Sequence, residues 1–333
     1  MEISYYNIEM KAFQNRVKGL FGSAHWKKAK TGIFSESAQS GRTLFVARQT
    51  MASFQVSENY SIGRLHQGEN MNFWEICGLA ILQGLTEFLP VSSSGHLLLL
   101  QYFAGIKSNP GPALELALHG GTLFSILFFY RKKLFALLMG VIRREKASLL
   151  YCACLIVSCI PAALVYLLFR QQLDAMFENP LACSVMLMIT GVLLLSTRFL
   201  SLPSRDGDPK WWQAFGIGLI QTVALLPGIS RSGSTITAGR WFGISAWKAA
   251  EFSFLMSIPL LAGGILLKGK EILALSDSPE KAAILLTGCA LAAMVGWFAL
   301  KLLALFQLSG KFWYFGCYCL FLGTSALLFI LQR

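Results

Sequence analysis

From Asn72 onward the chain alternates long apolar runs with short polar links, and the runs are of two kinds. Six are unbroken, at about 113–130, 147–169, 181–200, 247–267, 282–306 and 311–331. Each approaches the roughly 20 residues that a helix needs to cross a bilayer core. Two others, 72–103 and 211–243, are interrupted by a proline and a hydroxyl-rich turn, so that neither arm spans alone. An interrupted run predicts a re-entrant helical hairpin, because non-helical backbone at membrane depth survives only where it is buried in protein or lines a wet cavity. The order is a hairpin and three spans in 71–200, a polar link at 201–210, and a hairpin and three spans in 211–333. Three crossings is an odd number, so the second half is expected to run inverted, with the two hairpins dipping from opposite faces and meeting. The expectation is an all-α polytopic membrane protein built as an inverted repeat.

Residues 1–70 follow neither pattern. They are polar and aperiodic, rich in Ser, Gln and Lys, and hold no apolar stretch long enough for a signal peptide. They are expected to be a disordered extension, with translation starting at Met71.

Composition agrees with the patterning. The chain is 55% hydrophobic and 14% charged, against about 25% charged in soluble proteins, which excludes an ordinary soluble domain. Its net charge of +12 suits loops facing anionic lipid on the cytoplasmic side rather than nucleic acid. Basic patches interleaved with aromatics are absent outside the first 70 residues, so no nucleic-acid partner is expected. The densest cations, Arg131, Lys132, Lys133, Arg143, Arg144 and Lys146, lie between the first two spans and should be cytoplasmic. Counting crossings from there puts the 201–210 link inside and the mouth of the first hairpin on the external face. All eight cysteines lie in or beside apolar runs without a Cys-x-x-Cys pair, which reads as buried free thiols.

The chemistry sits at the two interruptions. The first reads Gln83-Gly-Leu-Thr-Glu87-Phe-Leu-Pro90-Val-Ser92-Ser93-Ser94-Gly95-His96, and the second, from Gln221, ends in Pro227-Gly228-Ile229-Ser230-Arg231-Ser232-Gly233-Ser234-Thr235. Each has a Gln, an apolar approach, a proline, and a Ser/Gly turn with one basic group. Ionisable groups in such flanks are costly and mark a site by default. Gln83 and Glu87, four apart, share one helix face; they could hold a divalent cation through oxygen, or Glu87 could position a water or a nucleophile. A serine of Ser92, Ser93 and Ser94 becomes a nucleophile only if a base takes its proton, and His96 is close enough in sequence to curl back over a tight turn. Arg231 cannot shed its charge, so it needs an anion, and its planar fork suits phosphate. Ser230, Ser232 and Thr235 add hydroxyls around a plausible anion nest at a helix N-terminus. The blander alternative is an internal ion pair from Arg231 to Glu87 or Glu251. His119, early in the first span, is held only as a pocket residue.

These two motifs, in this order, resemble the signatures of the bacterial undecaprenyl pyrophosphate phosphatases, also called bacitracin-resistance proteins, and Glu251-Phe-Ser-Phe254 followed by Pro259 is similar to the same family. The resemblance runs from about Met71 to the C-terminus. It implies hydrolysis of undecaprenyl diphosphate to the monophosphate and phosphate, recycling the carrier for peptidoglycan synthesis and conferring bacitracin resistance, in the bacterial inner membrane. It implies Glu87, Ser93, His96 and Arg231 as catalytic residues, with Ser93 as the aligned serine and His96 as base or acid. Gln83, Ser92, Ser94, Ser230, Ser232 and Thr235 are then expected around the substrate, with Mg²⁺ or Ca²⁺ near Glu87 and Gln83. The partners implied are undecaprenyl diphosphate and membrane lipid; a homodimer is left open. The rival expectation is transport, since paired broken segments in inverted repeats are also transporter architecture.

Overall fold

A computed structural model describes residues 72–104, 111–177, 179–200 and 206–332. The expected disordered extension at 1–70 lies outside the described residues, as does half of the polar link. The described chain is helical: α1 (Phe73–Phe88), α2 (Ser93–Ala104), α3 (Gly111–Phe129), α4 (Arg131–Ile142), α5 (Lys146–Met176), α6 (Pro180–Ser196), α7 (Trp211–Val223), α8 (Arg231–Trp241), α9 (Ala246–Leu267), α10 (Gly269–Ala274), α11 (Pro279–Leu308) and α12 (Tyr314–Leu331). Five segments, Lys146–Met176, Pro180–Phe199, Ala246–Leu267, Pro279–Gln307 and Tyr314–Leu331, are long and apolar enough to cross a membrane; Ala113–Phe129 in α3 is a shorter apolar helix. The protein is a multi-pass membrane protein.

Helix starts follow local chemistry. Asn72 accepts from the Trp74 N–H at 3.0 Å to open α1. Asn179 accepts from Ala182, and Ser278 from Lys281, each just before a proline that takes the first helical position of α6 and α11. Such a proline loses no hydrogen bond, because its N–H would have been an orphan. Two short helices were not foreseen. The cation-rich link after α3 folds as α4, and α10 follows α9. The run expected to end at 169 also continues to Met176, past a break at Phe169 where the backbone leaves helical geometry (φ −121°, ψ 21°).

The packing exchanges between halves. α1 lies on α11 as α7 lies on α5, α3 lies on α11 as α9 lies on α5, and α6 packs on α12. Small residues allow two of these close approaches. A Cβ on Gly218 of α7 would sit 2.4 Å from the Ser158 carbonyl oxygen of α5, and one on Gly84 of α1 would sit 2.8 Å from the Ala292 carbonyl oxygen of α11. Without hydrophobic driving force between helices in lipid, such backbone proximity is where packing energy comes from.

Burial is organised for lipid rather than water. Trp74, Phe199, Leu266 and Phe321 are exposed on the outside, whereas Gln83, Glu87, Ser92, Ser93, His96, Ser230, Ser232, Thr235 and Ser253 are buried. Polar groups gathered inside an apolar shell place the chemistry where the two interrupted segments meet.

Candidate active site

Each interruption is a short, constrained turn. After α1, Leu89 is extended, Pro90 has no N–H to continue the helix, and Ser92 turns the chain with φ +71° before α2 begins at Ser93. After α7, Pro227 and Gly228 (φ +94°) lead to Ser230, whose Oγ accepts from the Gly233 N–H at 3.0 Å and caps α8 at Arg231. A Cβ on Gly228 would also meet the Cys183 carbonyl oxygen at 2.4 Å, so glycine is required twice over. Thr190 on α6 pins this turn, its hydroxyl donating to the Gly228 carbonyl at 2.9 Å and accepting from the Ser230 N–H at 3.0 Å.

The turns touch. Ser232 Oγ donates to the Leu89 carbonyl at 3.4 Å, and Arg231 Nη2 forms an ion pair with Glu87 Oε1. The other carboxylate oxygen, Oε2, receives the Ser93 hydroxyl at 2.7 Å and Gln83 Nε2 at 3.1 Å, and lies 3.0 Å from His119 Nε2. The ring of His119 is fixed from behind, its Nδ1 lying 2.7 Å from the Glu115 carbonyl oxygen. A carbonyl only accepts, so Nδ1 carries a proton, and the contact to the carboxylate is a hydrogen bond only when Nε2 carries one as well. Three side chains from three other helices, Ser93 of α2, His119 of α3 and Arg231 of α8, therefore converge on Glu87, joined by Gln83 one turn away on α1.

Beside this cluster is a cavity of about 480 Å³. Glu87, Ser92, Ser93, Ser94, Glu115, His119, Gln221, Ser230, Arg231 and Ser232 line it together with Leu167, Leu173, Phe177, Leu260, Leu261 and Leu267, and the Lys268–Asp174 ion pair also borders it.

Of the residues expected from sequence, Glu87, Ser92, Ser93, Ser94, Ser230, Arg231 and Ser232 line this cavity. Gln83 stands behind Glu87, fully buried, with its Oε1 lacking a partner. Thr235 does not line the cavity: its hydroxyl bonds the Arg231 carbonyl at 2.8 Å and Ser253 Oγ at 2.6 Å, which braces the first turn of α8 against α9. His96 does not reach the Ser93 hydroxyl as a base. Its Nδ1 bonds the Ser92 carbonyl oxygen and its Nε2 the Tyr318 hydroxyl, each at 2.8 Å, and the group on Ser93 Oγ is Glu87. Glu251 is not Arg231's partner either, being paired with Lys133 at 3.5 Å and Lys248 at 3.2 Å. His119, expected only as a pocket residue, does line the cavity and reaches Glu87 as well, and Glu115 was missed. Their signal was the one noticed in Gln83 and Glu87, two polar groups four apart in an apolar run.

The family described as "Bacitracin resistance protein BacA" matches residues 76–325. The undecaprenyl-diphosphatase of Desulfatibacillum aliphaticivorans is 35% identical over 275 residues, covering 77% of this chain and 98% of the relative. The undecaprenyl-diphosphatase of Desulfosudis oleivorans is 38% identical over 270 residues, 75% of this chain and 95% of the relative. That of Salinibacter ruber is 40% identical over 216 residues, 61% and 79% of the two chains. Matches of this extent, spanning both interrupted segments, place the chain in the bacitracin resistance protein BacA family.

Proposed function

We propose that this protein is a membrane phosphatase that hydrolyses undecaprenyl diphosphate to undecaprenyl phosphate and phosphate, recycling the lipid carrier for peptidoglycan synthesis and giving resistance to bacitracin. The observation that carries the chemistry is the Glu87 carboxylate held between a serine hydroxyl and a guanidinium in a cavity that Leu167, Leu173, Phe177, Leu260, Leu261 and Leu267 also line, with the Lys268–Asp174 ion pair among them. The isoprenoid tail lies along the apolar walls while the diphosphate enters among the hydroxyls.

Glu87 is the anion that Arg231 pairs with. Phosphate oxygens then take the planar fork of Arg231, assisted by the hydroxyls of Ser230, Ser232, Ser92 and Ser94. Transfer of the guanidinium to phosphate leaves the carboxylate free to accept the Ser93 proton across 2.7 Å. Ser93 Oγ attacks the terminal phosphorus, the anhydride P–O bond breaks, and the leaving oxygen departs with undecaprenyl phosphate; water then attacks the phosphoserine, Glu87 returns its proton to the departing Ser93 oxygen, and of the water's two protons one stays on the phosphate and one leaves to solvent. A water in place of Ser93 is the alternative nucleophile. Arg231 and the N-terminus of α8 stabilise charge on the phosphate oxygens in transit.

A divalent cation suits the donors present. The Glu87 carboxylate and the unpartnered Gln83 Oε1 are hard oxygens one helical turn apart, and among the described residues no group of three or more His, Cys, Asp or Glu forms a complete cage. Mg²⁺ characteristically takes one or two protein oxygens and fills its shell with phosphate oxygens and water, and Ca²⁺ accepts the same donors. When bound, the ion offsets diphosphate charge. We further infer an inverted repeat, supported by the exchanged packing of the halves, and a site opening to the external face of the inner membrane, supported by the cations of α4 on the other side of the span.

The test is phosphate release from a C55 diphosphate by purified protein in detergent, where no compartments exist. Release that is lost in Arg231→Ala and Glu87→Ala supports the phosphatase reading. A protein that releases no phosphate yet moves the lipid between leaflets in vesicles would replace it with a transporter.

A further inference from the structure

His96 and Tyr318 are joined in a way that the chemistry at Ser93 does not by itself require. His96 is 8% exposed and sits on the first turn of α2; Tyr318 comes from α12, 222 positions away. Their rings are nearly parallel, 10° between planes with centroids 5.6 Å apart, and His96 Nε2 lies 2.8 Å from the Tyr318 hydroxyl. The other ring nitrogen, Nδ1, lies 2.8 Å from the Ser92 carbonyl oxygen. Because a carbonyl only accepts, Nδ1 carries the ring proton; Nε2 of the neutral ring is then an acceptor, and the Tyr318 O–H donates to it.

The carbonyl that His96 holds belongs to a strained residue. Ser92 has φ +71°, a conformation that costs a non-glycine residue about 1–3 kcal/mol and persists only when the surroundings over-determine it. The surroundings here are specific: the Ser92 carbonyl also accepts the His96 backbone N–H at 3.2 Å, and its Oγ accepts the Gly95 N–H at 3.3 Å. Ser92 immediately precedes Ser93, so its backbone sets where the Ser93 hydroxyl points. Geometry at a reacting atom must hold to within about 0.5 Å.

We propose that His96 and Tyr318 are positioning residues for the phosphatase reaction: Tyr318 fixes the tautomer and orientation of His96, His96 holds the left-handed turn at Ser92, and the turn aims Ser93 at Glu87 and the terminal phosphate. The inference rests on the reading of Ser93 and Glu87 as the reactive pair. It gives α12 a role in the site, although Tyr318 itself does not line the cavity, and it assigns to His96 hydrogen bonding rather than proton transfer.

The test separates these roles by kcat and KM for phosphate release from a C55 diphosphate in detergent, with melting temperatures measured alongside. Tyr318→Phe keeps the ring stack and removes one hydrogen bond, so kcat falls about three- to tenfold while KM stays within about twofold. His96→Asn keeps an N–H where Nδ1 stands and so can still hold the Ser92 carbonyl; it stays within about tenfold of the parent kcat, whereas His96→Leu loses about a hundredfold or more. Adding Tyr318→Phe to His96→Asn costs nothing further, since the group it served is gone. His96→Asn as inactive as His96→Leu, with the melting temperature kept, would overturn the proposal in favour of proton transfer. So would full activity in Tyr318→Phe, or a loss confined to KM. If His96→Leu does not fold, the comparison of His96→Asn, Tyr318→Phe and their combination decides alone. Full activity in Ser93→Ala and Glu87→Gln would instead remove the reactive pair, a result distinct from any of these.

Discussion

Glu87 and Arg231, separated by 144 positions, are joined as an ion pair at the meeting point of the two interrupted segments, with side chains only 5% and 18% exposed. Removing one partner of a buried pair leaves a charge uncompensated and typically costs about 3–5 kcal/mol, whereas replacing both by neutral groups is often tolerated. Arg231→Met should therefore lower the melting temperature in detergent and abolish phosphate release. Glu87→Gln with Arg231→Met should recover most of the melting temperature and none of the activity. A double variant no more stable than Arg231→Met would mean that the pair does not carry the contact between hairpins.

His119 supplies the contact on Glu87 that comes from outside both motifs, 3.0 Å from Oε2. Its loss frees the carboxylate to rotate away from Ser93, so His119→Ala should lower kcat by about 10- to 100-fold, the size expected for mispositioning a reacting group. His119→Gln keeps an N–H donor at a similar reach and should recover most of that rate. Steady-state kinetics on both variants check this; equal losses in the two would show that donation to Glu87 is not what His119 provides.

What was legible in the sequence, and what was not, follows from range. Pro90, Pro227, Gly228 and the serine runs announce the interruptions because they break apolar periodicity locally. The need of Arg231 for an anion is a property of the side chain alone. Its choice of Glu87 over Glu251 is not, because that choice depends on how α1, α8 and α9 pack, and Lys133 and Lys248 had already taken Glu251. Proximity in sequence also misdirects. His96 follows Ser93 by three residues, yet the positive φ of Ser92 and the start of α2 send its ring to the Ser92 carbonyl and Tyr318, while His119 reaches Glu87 from α3. Thr235 was expected among the hydroxyls of the anion nest, yet its place four residues past Arg231 on α8 lets it bond back to the Arg231 carbonyl within its own helix.

Gly218 and Gly84 set the depth at which the hairpins seat. A Cβ at Gly218 would lie 2.4 Å from a backbone oxygen of α5, which cannot swing aside as a side chain can. Overpacking of this kind typically costs about 1–3 kcal/mol. Gly218→Ala should lower the melting temperature and reduce activity by tilting α7 and, through its turn, Arg231. Gly78, around which a Cβ meets nothing within 4 Å, should tolerate alanine. Melting curves of the two variants side by side make the comparison internal to α-helical glycine, so helix propensity, which favours alanine at both positions by about 1 kcal/mol, cannot produce the difference.

The cation dependence can be argued from Gln83. Its Nε2 donates to Glu87 at 3.1 Å, while its Oε1 is enclosed without a partner, a costly arrangement for a buried amide unless another group visits it. If Gln83 and Glu87 share a divalent ion, a chelator should reduce phosphate release, and either Mg²⁺ or Ca²⁺ should restore it. The concentration needed for half-restoration should then depend on residue 83. Gln83→Leu removes the amide oxygen and should raise that concentration about tenfold or more, with the maximal rate at saturating ion closer to the parent's. Gln83→Glu places a second carboxylate one helical turn from Glu87, which repels it in the absence of metal and ligates better in its presence, so the half-restoring concentration should fall while activity in chelator drops further. Titration of the three proteins with each ion checks both directions. A half-restoring concentration that is the same in all three would move the ion away from Gln83, and leave its amide as a brace for Glu87 alone.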